Sequence, residues 1–343
     1  MKKITKYFLF ALVYLVVIFL VLEAVLRIIF PPTTLLPPNY NGNVETSEYN
    51  MLIKTNSIGL RGDREYATDK PAGTVRILAV GDSFTFGTGV NNSDTWAQHL
   101  ENKLNAAGGK QYQVMNAGKP GIGPGVYFTN VKNLAKKYDV DFVVIGFFVN
   151  DLKDVSNPYI GFSDIFKQSR LITLTYSLVK DIPYSQEYAA EKGVSPALIY
   201  HAKKYPTMIK DLLFLDTPEM NESLRETEDV MLQMHDYLEE NKIPSLFVVI
   251  PAAQQIDIKY HEFFSKIGFE LTPDMLTKPI LQKELTTFFT KNKIDYLDML
   301  PLLKASCTDC YYFKDNHWNI KGTEFAGSEI YDKFKELQFT NKV

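Results

Sequence analysis

The chain has no excess of charge of either sign: 37 Lys and Arg against 40 Asp and Glu give a formal net charge of −3 and a pI near 6.0. It also lacks an arginine-rich stripe with interleaved aromatics, so nucleic-acid binding drops out as a class. Cysteine is scarce, with only Cys307 and Cys310 in Cys-Thr-Asp-Cys. A zinc site would need further partners, and neither a second Cys-x-x-Cys nor a paired-histidine motif exists. A local disulfide or two idle thiols remain. No internal repeat is present. The glycines of Gly81–Gly89 fit neither phosphate-loop nor dinucleotide spacing, because Gly87-Thr88-Gly89 runs into Val90-Asn91-Asn92. No cofactor and no metal is expected. What is there is an ordinary globular composition, 45% hydrophobic and 22% charged, which argues against wholesale disorder.

The first thirty residues differ from the rest. Lys2, Lys3 and Lys6 precede Tyr7–Leu22, sixteen residues without a charge, and the apolar run resumes over Ala24–Phe30. As a helix, Tyr7–Phe30 would span roughly 36 Å, enough to cross a bilayer with some tilt. Glu23 and Arg27 fall at i,i+4 and can pair near the outer end. A cleaved signal peptide would need a small-x-small site, and Leu22-Glu23-Ala24-Val25 is a poor one. The expectation is therefore a cytoplasmic stub and uncleaved signal-anchor over 1–30. Three lysines before the span, against Arg27 alone up to Met51, place the N-terminus in the cytoplasm and the body in the periplasm or outside the cell. That compartment permits a Cys307–Cys310 clip.

Pro31-Pro32 through Pro37-Pro38 reads as a stiff extended spacer, and 31–74 as linker and lead-in. From Val75 strands and helices alternate. Strands are expected at Val75–Val80, Tyr112–Met115, Phe142–Val149, Pro244–Ile250 and Ile294–Leu297. Helices are expected near 94–107, up to Tyr138, and over 219–241, 278–291 and 321–337. Phe142–Val149 is continuously apolar, as in the middle of a parallel sheet. This pattern argues for an α/β domain over 75–343, a central parallel sheet with helices on both faces. Residues 152–218 break the rhythm and read as an insertion that shapes or covers a pocket.

Three separated stretches carry chemistry: Gly81-Asp82-Ser83-Phe84-Thr85-Phe86-Gly87, Asn150-Asp151, and Asp315-Asn316-His317-Trp318-Asn319. The first puts a serine on a glycine-flanked turn at the carboxyl end of a parallel strand, where open α/β sheets bind ligands. The last supplies a histidine with a carboxylate two residues before it, a base and its orienter. Each residue also has a plainer reading. Ser83 could cap a helix, Gly121 relieve a turn, Asn150-Asp151 end a strand, and His317 pack in a loop. Asp151 and Asp154 suggest a metal but read better as solvated turn carboxylates. Asp82 is expected to bond backbone, and Asn319 to cap the last helix, with Gly322 relieving its packing. His99, His201, His235 and His261 have no companion motif.

Taken in order, these blocks resemble the SGNH, or GDSL-type, hydrolase superfamily. Gly81-Asp82-Ser83 resembles its first block, Gly121 falls on the glycine of the second, Asn150 on the asparagine of the third, and Asp315 with His317 on the fifth. The resemblance implies a three-layer flavodoxin-like fold and a serine esterase. Ser83 is then the nucleophile, His317 the general base and Asp315 its orienter. The Ser83 and Gly121 backbone N–H groups and the Asn150 amide form the oxyanion hole. Two spellings depart from the family: Phe148 stands where Gly-x-Asn-Asp has glycine, and only Asn316 separates Asp315 from His317. Asp-x-His-Trp is similar to periplasmic polysaccharide O-acetyltransferases of the alginate type. The expected substrate is an O-acyl ester, above all acetyl, of an envelope glycan or lipid. The alternatives are an O-acyltransferase served by a membrane acyl-donor partner, and a non-catalytic envelope-assembly or glycan-binding protein.

Overall fold

The computed structural model describes residues 2–29, 34–152 and 196–340. Helix α1 (Lys2–Ile29) belongs to one unit, and the described residues from Thr34 onward to another that holds everything below. α1 covers the run expected to be helical, and all but one of its described apolar side chains are exposed, Leu15 at 63% and Leu20 at 59%. Among the described residues no helix is long and apolar enough to cross a membrane. The expected span is therefore not established by the structure.

The second unit is built on five parallel strands in the order β4-β3-β5-β6-β7: β3 (Thr74–Gly81), β4 (Gln111–Asn116), β5 (Phe142–Phe148), β6 (Ser245–Ile250) and β7 (Tyr296–Asp298). This is the flavodoxin-like order, with its switch point beside β3, the first strand of the sheet. Each strand falls within a residue or two of its expected place. β5 reads Phe-Val-Val-Ile-Gly-Phe-Phe and every residue of it is buried, because helices cover both faces. Right-handed crossovers dictate which face each helix takes. α3 (Trp96–Ala106) packs with the last helix, α11 (Ile320–Thr340), while α4 (Pro124–Leu134) packs with α7 (Pro218–Glu240).

Two regions differ from the sequence reading. Within 31–74 lies an antiparallel hairpin, β1 (Asn41–Glu45) with β2 (Asn50–Lys54), in register Glu45↔Asn50. β1 spells Asn-Gly-Asn-Val-Glu and carries a single apolar residue, so no hydrophobic alternation announces it. From Thr34 the proline-rich stretch is also pinned to the body. Thr34 O accepts Asn130 Nδ2 at 3.2 Å and Pro37 O accepts the Thr55 hydroxyl at 2.6 Å. The described end of the 152–218 segment forms α5 (Pro196–Lys204) and α6 (Met208–Phe214); residues 153–195, with Asp154, lie outside the described residues. Helices α8 (Lys259–Ile267), α9 (Ile280–Lys291) and α10 (Met299–Ser306) complete the unit, and α8 and α10 were not expected. Cys307 and Cys310 form a disulfide just after α10.

Candidate active site

Ser83 is the first residue of α2 (Ser83–Phe86), directly after β3. Asp82 caps this short helix, its Oδ1 accepting Phe84 N–H at 2.9 Å, so the backbone-bonding role expected for Asp82 is what the structure has. Thr85 lies over the end of the sheet. A Cβ on Gly81 would sit 2.1 Å from Thr85 Oγ1 and 2.7 Å from the Gly146 carbonyl, so only glycine allows the turn to close so tightly. Buried Asn116 ties the following loop to the same helix. Its Nδ2 donates to Thr85 O at 2.9 Å while its Oδ1 accepts Gly118 N–H at 3.0 Å.

His317 arrives from a loop closed by the Tyr311↔Trp318 bridge and the Tyr312 N–H to His317 O bond of 2.8 Å. Its Nε2 lies 2.8 Å from Ser83 Oγ, and its Nδ1 meets Asp315 Oδ1 in a short hydrogen bond. With Nδ1–H given to the carboxylate, Nε2 is the acceptor of the Ser83 proton. Asp82 Oδ2 is a second acceptor for that hydroxyl, at a longer 3.2 Å. The one-residue Asp-x-His spacing works because Asn316 adopts φ 72°, a left-handed conformation asparagine tolerates better than most residues. Side chains two apart on an extended strand already share a face, and the turn at Asn316 brings Asp315 and His317 within hydrogen-bond reach of each other. Phe84 backs the pair, its ring 5.0 Å from the imidazole.

Burial works against a charged imidazole, but the hydrogen bond and charge of Asp315, with Asp82 beyond, hold His317 above its ordinary 6.5. Burial would likewise raise Asp315. The His317 partner and the Tyr49 hydroxyl overcome it and keep the carboxyl below 3.8. The proton affinity of His317 is thus set by burial on one side and by the bond and charge of Asp315 on the other, with Asp315 prevailing.

Asn150 and Gly121 line two different cavities, each of which also holds Ser83 and His317. Asn150 lines a cavity of about 240 Å3 shared with Ser83 and His317, walled by Phe148, Leu198, Met208 and Leu213. Gly121 lines a second cavity of about 530 Å3, also shared with Ser83 and His317, walled by Leu36, Tyr40, Val44 and Ile53. Gly121 has φ 72° and nothing within 4 Å of where a Cβ would stand, so conformation rather than crowding calls for glycine there. The Asn150 Oδ1 is buried without a hydrogen-bond partner among the described residues. The turn is held by its neighbour instead. Asp151 is fully buried and accepts Phe148 N–H at 3.0 Å and the Tyr127 hydroxyl at 2.8 Å, so it is not the solvated carboxylate expected. Phe148, in the usual glycine's place, packs 4.3 Å from the Phe84 ring and forms cavity wall.

Three residues of this neighbourhood escaped sequence reasoning: Asn116, Glu48 and Tyr49. Tyr49 OH donates to Asp315 Oδ2 at 3.0 Å across 266 positions of sequence. Nothing local signals such a contact. Asn319 does cap α11, its Oδ1 accepting Gly322 N–H at 3.1 Å, and a Cβ on Gly322 would lie 2.2 Å from Cys310 O.

No family model and no curated protein matches the chain. Among solved structures it is similar to the lipase Lip_vut3 from a goat rumen metagenome, 12% identical over 76% of this chain and 97% of that one, TM-score 0.44. It is also similar to a lipase/acylhydrolase from Enterococcus faecalis, 14% identical over 76% and 96%, TM-score 0.43. TesA gives 14% identity over 76% and 99%, TM-score 0.42. At this identity and similarity the likeness carries no argument about chemistry, which rests on the geometry of this chain.

Proposed function

We propose that the chain is an SGNH-type serine esterase acting on an O-acyl ester. The observation that carries this is the Ser83 Oγ to His317 Nε2 contact of 2.8 Å, with Asp315 on Nδ1, between two cavities at the carboxyl end of the first sheet strand. Ser83 Oγ attacks the ester carbonyl carbon while its proton passes to His317 Nε2. The C–O bond to the alcohol breaks, and the alkoxide leaves with that proton. Water then adds to the acyl-enzyme, giving a proton to Nε2, and the acid departs as Ser83 recovers its own. The Ser83 and Gly121 N–H groups and the Asn150 amide are the donors assigned to the oxyanion. Asn150 lines the same cavity as Ser83 and His317, which supports that role for its side-chain N–H2 group.

The cavity walls are apolar on both sides of Ser83, which favours a lipid or longer acyl ester over an acetylated glycan among the envelope substrates considered. We also assign α1 as a membrane anchor with the body outside the cytoplasm. Support comes from the charge-free Tyr7–Leu22 run, the exposed apolar side chains of α1 and the lysines before it.

The test uses the full chain in non-ionic detergent, with p-nitrophenyl acetate and octanoate and with a glycan oligomer present or absent. Ser83-dependent release that favours octanoate and ignores the glycan is the expected result. Acetyl appearing on the glycan would make the protein a transferase. Equal turnover by wild type and Ser83→Ala would remove the catalytic reading.

A further inference from the structure

We propose that Glu48 and Tyr49, at the tip of the β1–β2 hairpin, are positioning residues that hold the Asp315–His317 pair in working geometry. This rests on the esterase reading and goes beyond it. Loop 311–318 is closed at its base by its own backbone, yet the tip bearing Asp315 reaches outward and is met by the hairpin. The Glu48 carboxylate accepts three consecutive backbone N–H groups there: Phe313 at 2.8 Å, Lys314 at 3.0 and 2.9 Å, and Asp315 at 2.8 Å. Successive N–H groups converging on one point form an anion-binding concavity, here filled by the protein's own carboxylate. The next residue, Tyr49, donates its hydroxyl to Asp315 Oδ2 while Oδ1 holds His317. The Tyr49 ring also packs 5.0 Å from that of Tyr312, whose hydroxyl donates to Gly89 O at 2.9 Å.

The same hairpin is fixed to the nucleophile's side. Buried Arg61 donates to Leu52 O in β2 at 3.3 Å and to Val90 O at 2.8 Å, and its guanidinium lies 4.1 Å from the centre of the Phe86 ring in α2. One element therefore spans the helix that carries Ser83 and the loop that carries His317. Fixing both ends fixes the gap between them, and small errors in such a gap are expensive in rate. Burial and the charge of Asp315 keep the Tyr49 phenol protonated, hence always a donor.

A hairpin that merely propped a surface loop would not touch the proton affinity of His317. The groups facing the pair are Asp82 and Ser83 from the β3–α2 turn, Glu48 and Tyr49 from the hairpin, and Tyr312 and Lys314 from its own loop. Of these, Tyr49 draws charge directly from the orienting carboxylate. Without its hydroxyl more negative charge faces the imidazole, so His317 holds its proton to higher pH.

The experiment compares full-chain wild type, Tyr49→Phe, Glu48→Gln and Glu48→Ala in two readouts. The His317 imidazole is titrated by NMR, assigned with His317→Gln, and p-nitrophenyl octanoate turnover is followed against pH. Tyr49→Phe should move the His317 titration and the rising limb of activity together to higher pH. Glu48→Ala should lower kcat on the order of tenfold with KM unchanged, with Glu48→Gln between, since it keeps one acceptor oxygen. An unmoved His317 titration in Tyr49→Phe, or wild-type kcat in the Glu48 variants, would overturn the proposal. The isosteric Tyr49→Phe decides the matter if Glu48→Ala fails to fold. Should wild type turn over no ester while Tyr49→Phe still shifts His317, the esterase reading falls and the positioning role stands.

Discussion

Ser83 and His317 face each other but are held by opposite means. Ser83 stands on the end of β3, in a sheet whose central strands are almost wholly buried, and its turn is shaped by Gly81, Asp82 and Thr85 within five residues. His317 stands on a loop whose geometry depends on one left-handed asparagine and on side chains more than 260 positions earlier in the chain. Ser83 thus inherits rigidity from core packing, whereas His317 borrows it from polar contacts at partly exposed positions, its own side chain 23% exposed. Core positions change slowly with local substitution, and polar clamps fail one hydrogen bond at a time. The two halves should therefore respond differently to mutation.

The largest effect that separates them from a third element is expected at Asn150. If its amide stabilises the oxyanion, Asn150→Ala should lower kcat by about 10²–10³-fold with the Ser83–His317 side unaffected. An unchanged kcat would return Asn150 to a strand-ending role. The pH profile comes next. With His317 as the proposed base its neutral form is the active one, and its proton is held above 6.5, so activity should rise with pH through an apparent value above 6.5. Stability moves the other way. The raised His317 contributes stability fully present below 6.5 and lost as pH climbs through its folded value. The lowered Asp315 contributes stability present above 3.8 and lost as pH falls through its own folded value. The pair therefore stabilises most between about 4 and 6.5, where the proposed base is still mostly protonated and activity is low. A melting temperature that tracked activity upward with pH would contradict this.

Smaller effects sharpen the loop side. Asn316→Val places a β-branched residue at φ 72° and should cost about 1–2 kcal/mol together with activity, while Asn316→Gly keeps the conformation and most of the rate. Equal behaviour of the two variants would mean the kink is not needed. Asn319→Ala removes the α11 cap and should cost about 1 kcal/mol of stability, read by denaturant unfolding, with kcat/KM nearly unchanged.

The same contrast explains what was legible. Continuous apolar strands, Gly-Asp-Ser after the first of them, and Asp-x-His before the last helix are local patterns, and the chain order of blocks joins them without knowing the fold. The parallel sheet between two helix layers followed from the alternation of strands and helices, and its flavodoxin-like order from the resemblance of the motif blocks. Hairpin 41–54 was illegible because β1 is polar and its value lies in Glu48 and Tyr49, whose partners are remote. Asp151 was misread for a related reason: Asn-Asp on a turn looks solvated until Tyr127 and Phe148 are seen enclosing it.

The central claim is that Ser83 is a nucleophile activated by His317. It is tested most directly by treating the full chain with a fluorophosphonate and locating the adduct by intact and peptide mass spectrometry. The account predicts a single phosphonyl group on Ser83, absent in Ser83→Ala and formed far more slowly in His317→Ala. Labelling elsewhere, no labelling of wild type under conditions that label a known serine esterase, or equal rates in His317→Ala would contradict it.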